Sequence, residues 1–194
     1  MNQTVPDISA GAQADVVPVW REVQVCDVTG HARADCLAEE VPVALVINGI
    51  SHAVMMCSPG DLEDFALGFV FTEGLVDGAP DVYGVEVIPV ARGIEARVQV
   101  SAETEWRLCG TDSLDQVHRP LARLDGAPLP ASAVLYAHRA MPSWQALQQR
   151  TGATHAAAWC DAQDGRVLMV REDVGRHNAL DKLIGALLKQ GADR

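Results

Sequence analysis

Short apolar runs bounded by Gly, Pro and Asp alternate along this chain with stretches of helical periodicity, a pattern that predicts strands and helices mixed around one core. Val16 to Val25 reads as a first strand. Val43 to Ile50 and His52 to Met56 form an expected hairpin about Gly49, and Val82 to Val90 and Ile94 to Val100 are two further strands separated by Ala91, Arg92 and Gly93. A third pair, His155 to Cys160 and Arg166 to Val170, closes across Asp161 to Gly165. The clearest helix signal follows the first hairpin. Ser58 suits the N-cap and Pro59 the first helical position, with Leu62, Phe65, Ala66 and Phe69 along one face and Gly74 at the end. Leu114, Val117, Leu121 and Leu124 predict a second helix that Pro120 kinks or ends. Ser143 to Arg150 predicts a third, stopped at Gly152. Leu180, Leu183, Ile184, Leu187 and Leu188 recur at helical spacing and predict a fourth. Asp125 to Ala131 reads as a linker. The expected organisation is a mobile polar tail over 1–15, a β-rich part with one helix over 16–100, and an α/β part over 101–194.

Composition narrows the classes of function. The 194 residues are 48% hydrophobic, enough for one substantial core. A formal charge of −11 without any basic run argues against nucleic acid or an anionic membrane surface as the principal partner. No run approaches the roughly 18 apolar residues of a membrane span, and the N-terminus lacks a charged region followed by an apolar one, so a cytoplasmic protein is expected. Five scattered cysteines, Cys26, Cys36, Cys57, Cys109 and Cys160, fit a reducing compartment better than a disulfide framework. All but Cys109 read as packing residues. His52, His118, His138 and His155 show no metal-ligand spacing, and Trp106, Trp144 and Trp159 also read as packing residues.

Two segments carry chemistry. Arg171 to Lys182 crowds polar groups into the passage from strand to helix. A helix start exposes free backbone amides that suit an anion, and Gly175, Arg176, His177 and Asn178 stand at it. His177 and Asp181 are one helical turn apart, so Asp181 could orient the imidazole. A bland reading stands beside this one: Asp173 or Asn178 caps the helix, while Asp181 and Lys182 lie on its solvated face. The second segment surrounds Cys109. It is poor in regular structure, has Gly110 beside the thiol, and precedes an expected helix start that would favour a thiolate, with Arg107 adding positive charge.

These segments resemble the FdhD family (FdhD/NarQ type), the accessory sulfurtransferases of formate dehydrogenase. Val43 to Gly49, Cys57 to Phe69 with Thr72-Glu73-Gly74, Cys109 to Leu114, Thr151 to Ala157 and Arg171 to Lys182 match its motifs in order. The resemblance implies a cytidine-deaminase-like three-layer α/β domain (α+β being the alternative) with a small N-terminal β subdomain. The Pro-Cys-x-x-Cys and His-x-Glu of zinc deamination are missing, so no intrinsic metal is expected. It further implies that Cys109 takes persulfide sulfur from a cysteine desulfurase. The acceptor would be the molybdenum bis(molybdopterin guanine dinucleotide) cofactor, before its insertion into formate dehydrogenase. Gly175, Arg176, His177 and Asn178 would bind that guanine-nucleotide-containing cofactor, and the family's habit of pairing admits a homodimer. Two departures stand out. Trp106 occupies the place of the first cysteine of the family's Cys-x-x-Cys loop, and the family continues through a C-terminal part that is expected to be missing here. The alternative expectation is therefore a non-catalytic nucleotide- or cofactor-binding protein, or an inactive truncated family member.

Overall fold

The computed structural model describes residues 17–101, 126 and 128–191. β1 (Trp20–Cys26) and β2 (Ala32–Ala38) pair antiparallel as a separate two-stranded ribbon. β1 starts later than expected, and β2 has no counterpart among the strands read from the sequence. Its run Ala-Arg-Ala-Asp-Cys-Leu-Ala has no apolar stripe, because neither face is fully covered. β3 (Val41–Ile47) and β4 (Ile50–Cys57) form the expected hairpin. Asn48 and Gly49 both take left-handed backbone angles, φ 46° and 82°, as a two-residue hairpin turn requires.

The chain then enters α1 (Leu62–Thr72), passes through a short 3₁₀ turn, and returns as β5 (Val82–Val90) and β6 (Gly93–Val100). These strands complete a sheet of order β4-β3-β6-β5, in which only β3 and β6 run parallel. Parallel neighbours need a long crossover, and the passage through β4, α1 and β5 supplies it. Alternation along β3 and β6 sends Val43, Leu45, Ile47, Ala96, Val98 and Val100 to one face, where they meet Phe65, Ala66, Phe69 and Val70 of α1.

α1 begins three residues later than the cap signal suggests. Asp61 is the N-cap in a left-handed conformation (φ 52°) and makes no side-chain cap bond. Ser58 and Pro59 are therefore not the cap and first position. Ser58 is buried and serves distant parts of the chain, as described below.

α2 (Ala131–Ala140) follows, a helix that overlaps the end of the expected linker and went unread because alanines hide its stripe; only Ala133 is buried. α3 (Ala146–Thr151) ends where left-handed Gly152 was expected to stop it. β7 (His155–Cys160) and β8 (Val167–Asp173) form the second expected hairpin, and α4 (Arg176–Lys189) completes the described fold. The expected helix around Leu114 to Leu124, Pro120 and the loop with Trp106, Arg107, Cys109 and Gly110 all lie outside the described residues.

The layers stack in order. α1 lies on β5 and β6, α4 lies on α1, and the β7–β8 hairpin packs on α4. Two glycines set the helix crossing. A Cβ on Gly68 would sit 1.8 Å from the Asp181 carbonyl oxygen, and one on Gly185 would sit 1.9 Å from that of Asp64. Backbone therefore rests on backbone where α1 meets α4, as any side chain there would force the helices apart. The mixed α/β architecture expected from the sequence is the one observed.

Candidate functional site

β8 extends through Arg171, Glu172 and Asp173 before the chain turns into α4, so three charged residues expected in the turn are strand residues. Each holds a different element. Arg171 donates from Nε and Nη2 to Asp64 Oδ2 on α1, at 2.9 and 2.8 Å. Glu172 accepts the backbone N–H groups of Leu147 (2.9 Å) and Gln148 (2.8 Å), and the Thr154 hydroxyl (3.2 Å), and so caps α3 from another strand.

Asp173 is fully buried and receives four donors. Oδ1 accepts from Gly175 N–H (2.8 Å) and Asn178 Nδ2 (3.0 Å), and Oδ2 accepts from Ser58 N–H (2.9 Å) and Lys182 Nζ (2.6 Å). Lys182 is also fully buried, and donates to the Ser58 carbonyl at 2.9 Å. The placement of Lys182 on a solvated face is thus corrected. Burying an ammonium is costly unless it is paired, and here it has a carboxylate and a carbonyl. Ser58 closes the junction, its hydroxyl accepting from Val174 N–H at 3.1 Å. Among the described residues no buried side-chain nitrogen or oxygen lacks a partner.

Above this junction the turn opens outward. Gly175 is the N-cap of α4, without a side-chain cap bond, so neither Asp173 nor Asn178 caps the helix in the manner weighed from sequence. A Cβ at Gly175 would lie 2.7 Å from Asn178 Nδ2, so glycine is needed here for space. Arg176 and His177 are exposed. Asn178 lies beneath them, buried, with Nδ2 donating to the Met56 carbonyl (2.7 Å) as well as to Asp173. The structure thus brings Gly175, Arg176 and His177 together at the surface and sets Asn178 under the turn. Asp181 accepts from the Thr72 hydroxyl at 2.9 Å instead of orienting His177. Burial raises its carboxyl above the usual range, with the Thr72 bond and the nearby His177 opposing.

A cavity of 490 Å³ lies on the β8 side of the junction, bordered by Trp20, Gly60, Asp61, Trp144, Arg150 and Arg171. The Arg150 guanidinium stacks 4.2 Å from the centre of the Trp20 ring. Sequence reading missed this cleft because its walls come from β1, the loop before α1, α3, β8 and α4. Trp144 and Trp159, expected to be packing residues, are half exposed.

The described cysteines divide by burial. Cys57 is buried, and burial with the nearby Asp173 pushes its thiol up to about 12, so it packs as an inert thiol. Cys26 is exposed, at the end of β1, and is not the packing residue expected. His155 begins β7 as expected, and His52 packs edge-on against Phe69 at 6.0 Å. No helix among the described residues is long and apolar enough to cross a membrane.

Known proteins are similar to this chain over most of its length. A Bordetella petrii protein named sulfur carrier protein FdhD is 51% identical over 177 residues, covering 83% of this chain and 63% of that protein. Its namesake in Cupriavidus necator is 50% identical over 175 residues, or 82% of this chain and 60% of that protein. A Variovorax paradoxus protein of the same name is 48% identical, covering 91% of this chain and 68% of that protein. The chain therefore spans less than two thirds of the length of the first two. A crystal structure from Desulfotalea psychrophila, provisionally assigned as a formate dehydrogenase accessory protein, superimposes with a TM-score of 0.69 at 25% identity, covering 91% of this chain and 71% of that one. The FdhD/NarQ family model matches residues 38–194, and with these relatives it shows that the chain belongs to the FdhD/NarQ family.

Proposed function

We propose that this chain is a sulfur carrier that serves formate dehydrogenase maturation in the cytoplasm. The carrying observation is identity near 50% to proteins named sulfur carrier protein FdhD over more than four fifths of the chain. In this reading the Cys109 thiolate attacks the outer sulfur of a persulfide on a cysteine desulfurase. The donor S–S bond breaks, the donor cysteine leaves as a thiolate, and Cys109 carries the new S–S bond as a persulfide. No external oxidant or reductant is consumed.

The sulfur acceptor would be the molybdenum bis(molybdopterin guanine dinucleotide) cofactor, later inserted into formate dehydrogenase. Its phosphates suit the start of α4. Among the described residues nothing accepts from the amides of Arg176, His177 or Asn178, and the exposed Arg176 adds a guanidinium. His177 supplies a hydrogen bond or moves a proton, and Asn178 fixes the turn from beneath.

Trp106 in the place of the loop's first cysteine supports a second reading, a cofactor-binding protein without transfer. Intact-protein mass spectrometry after incubation with a cysteine desulfurase and cysteine separates the two. The expected result is one added sulfur on the native chain and none on folded Cys109→Ser. An unmodified native chain that still binds GDP would establish the binding protein instead.

A further inference from the structure

Asp173 stands immediately below a helix start yet accepts none of the helix's own leading amides. A carboxylate near the first turn commonly accepts the leading amides of the helix. Here both oxygens are taken by Gly175 N–H, Asn178 Nδ2, Ser58 N–H and Lys182 Nζ, which fills the acceptor capacity of the group. The amides of Arg176, His177 and Asn178 are left without an acceptor among the described residues. Only an ionised carboxylate could accept so many donors at once. A neutral amide would turn its own N–H groups toward the backbone donors of Gly175 or Ser58.

The same carboxylate creates an electrostatic problem for a site meant to receive an anion, and Lys182 removes it. At 2.6 Å and in full burial, the ammonium cancels the charge that would otherwise face an incoming phosphate. We propose that Asp173 and Lys182 are a positioning pair, which shapes the first turn of α4 so that its leading amides stay uncapped and free of a competing negative charge. This rests on the reading of the turn as an anion site, and it assigns the pair no contact with the ligand. Ser58 and Asn178 extend the pair to the end of β4, through Ser58 N–H, the Ser58 carbonyl and the Met56 carbonyl.

The test compares the whole chain with the double variant Asp173→Asn/Lys182→Met, which removes both charges together, using GDP as probe. Calorimetry should show at least tenfold weaker GDP binding in a variant that circular dichroism finds folded. The Gly175 amide resonance should move upfield as its carboxylate partner is lost, and amide exchange over Arg176 to Asn178 should change, with or without GDP. Leu45→Met, which alters only the distant core, should leave all three readouts unchanged. A folded double variant that binds GDP within twofold of the native chain and keeps its Gly175 resonance overturns the proposal. If the native chain binds no GDP, the anion reading of the turn fails, and the Gly175 resonance and exchange data still decide whether the pair sets the turn. Should the double variant not fold, Ser58→Ala removes one arm of the junction. It should weaken GDP binding two- to threefold and shift the Val174 amide; unchanged values overturn the proposal.

Discussion

The core under the four-stranded sheet and the junction under the α4 turn are both fully buried, but they are built on opposite principles. Val43, Leu45, Ile47, Phe65 and Phe69 fill space with groups that need only the right volume. Ser58, Asp173, Asn178 and Lys182 fill it with groups that need the right partner in the right direction. The first kind of burial drives folding; the second selects one backbone conformation for the turn while adding little net stability. The surface residues expected to carry chemistry stand over the second kind.

The largest contrast comes from removing one partner of each kind. Lys182→Met is close in volume but leaves Asp173 buried without its cation, and should cost about 3–5 kcal/mol of unfolding free energy in a urea titration. Leu45→Met, an equally modest change of shape in the apolar core, should cost less than about 1.5 kcal/mol. Equal losses would show that the junction is no more demanding than the core, and the comparison would collapse.

A finer test uses the pH dependence of a group at the edge of the junction. Burial raises the Asp181 carboxyl, so in the window between its ordinary value near 3.8 and the raised one the folded chain binds more protons than the unfolded chain. This contribution is therefore most favourable in acid and is lost as pH rises through that window. Asp181→Asn keeps an acceptor for Thr72 and should flatten this dependence. It should raise stability at neutral pH relative to acid, read from denaturant midpoints at pH 4 and pH 7. A variant whose pH profile superimposes on that of the native chain would show that Asp181 is not strained by its surroundings.

How much of this was legible in the sequence depends on how far each partner lies along the chain. The β3–β4 hairpin was readable because Asn48 and Gly49 carry their turn within two adjacent residues. β5 and β6, the β7–β8 pair and the end of α3 were equally local. The start of α1 was misread because Ser58 resembles a cap by every local rule, while its partners, Asp173, Val174 and Lys182, come from the other end of the chain. Lys182 was misplaced for the same reason, since a lysine reads as surface until a carboxylate appears on the preceding strand. That Gly175, Arg176 and His177 stand at a helix start could be read locally, from the apolar strand before them and the helical spacing after them. That Asn178 faces inward could not be read, because its second acceptor, the Met56 carbonyl, belongs to a strand in another sheet.

The crossing at Gly68 and Gly185 bears on how the molecule would respond to a load. Side chains between two helices act as springs, since they can change rotamer and let one axis slide over the other. Here main chain meets main chain, the Gly68 position against Asp181 and the Gly185 position against Asp64, and nothing at the crossing can yield in that way. A push on the exposed end of α4 would pass to α1, and through it to the four-stranded sheet, as through a rigid rod instead of being absorbed along the route.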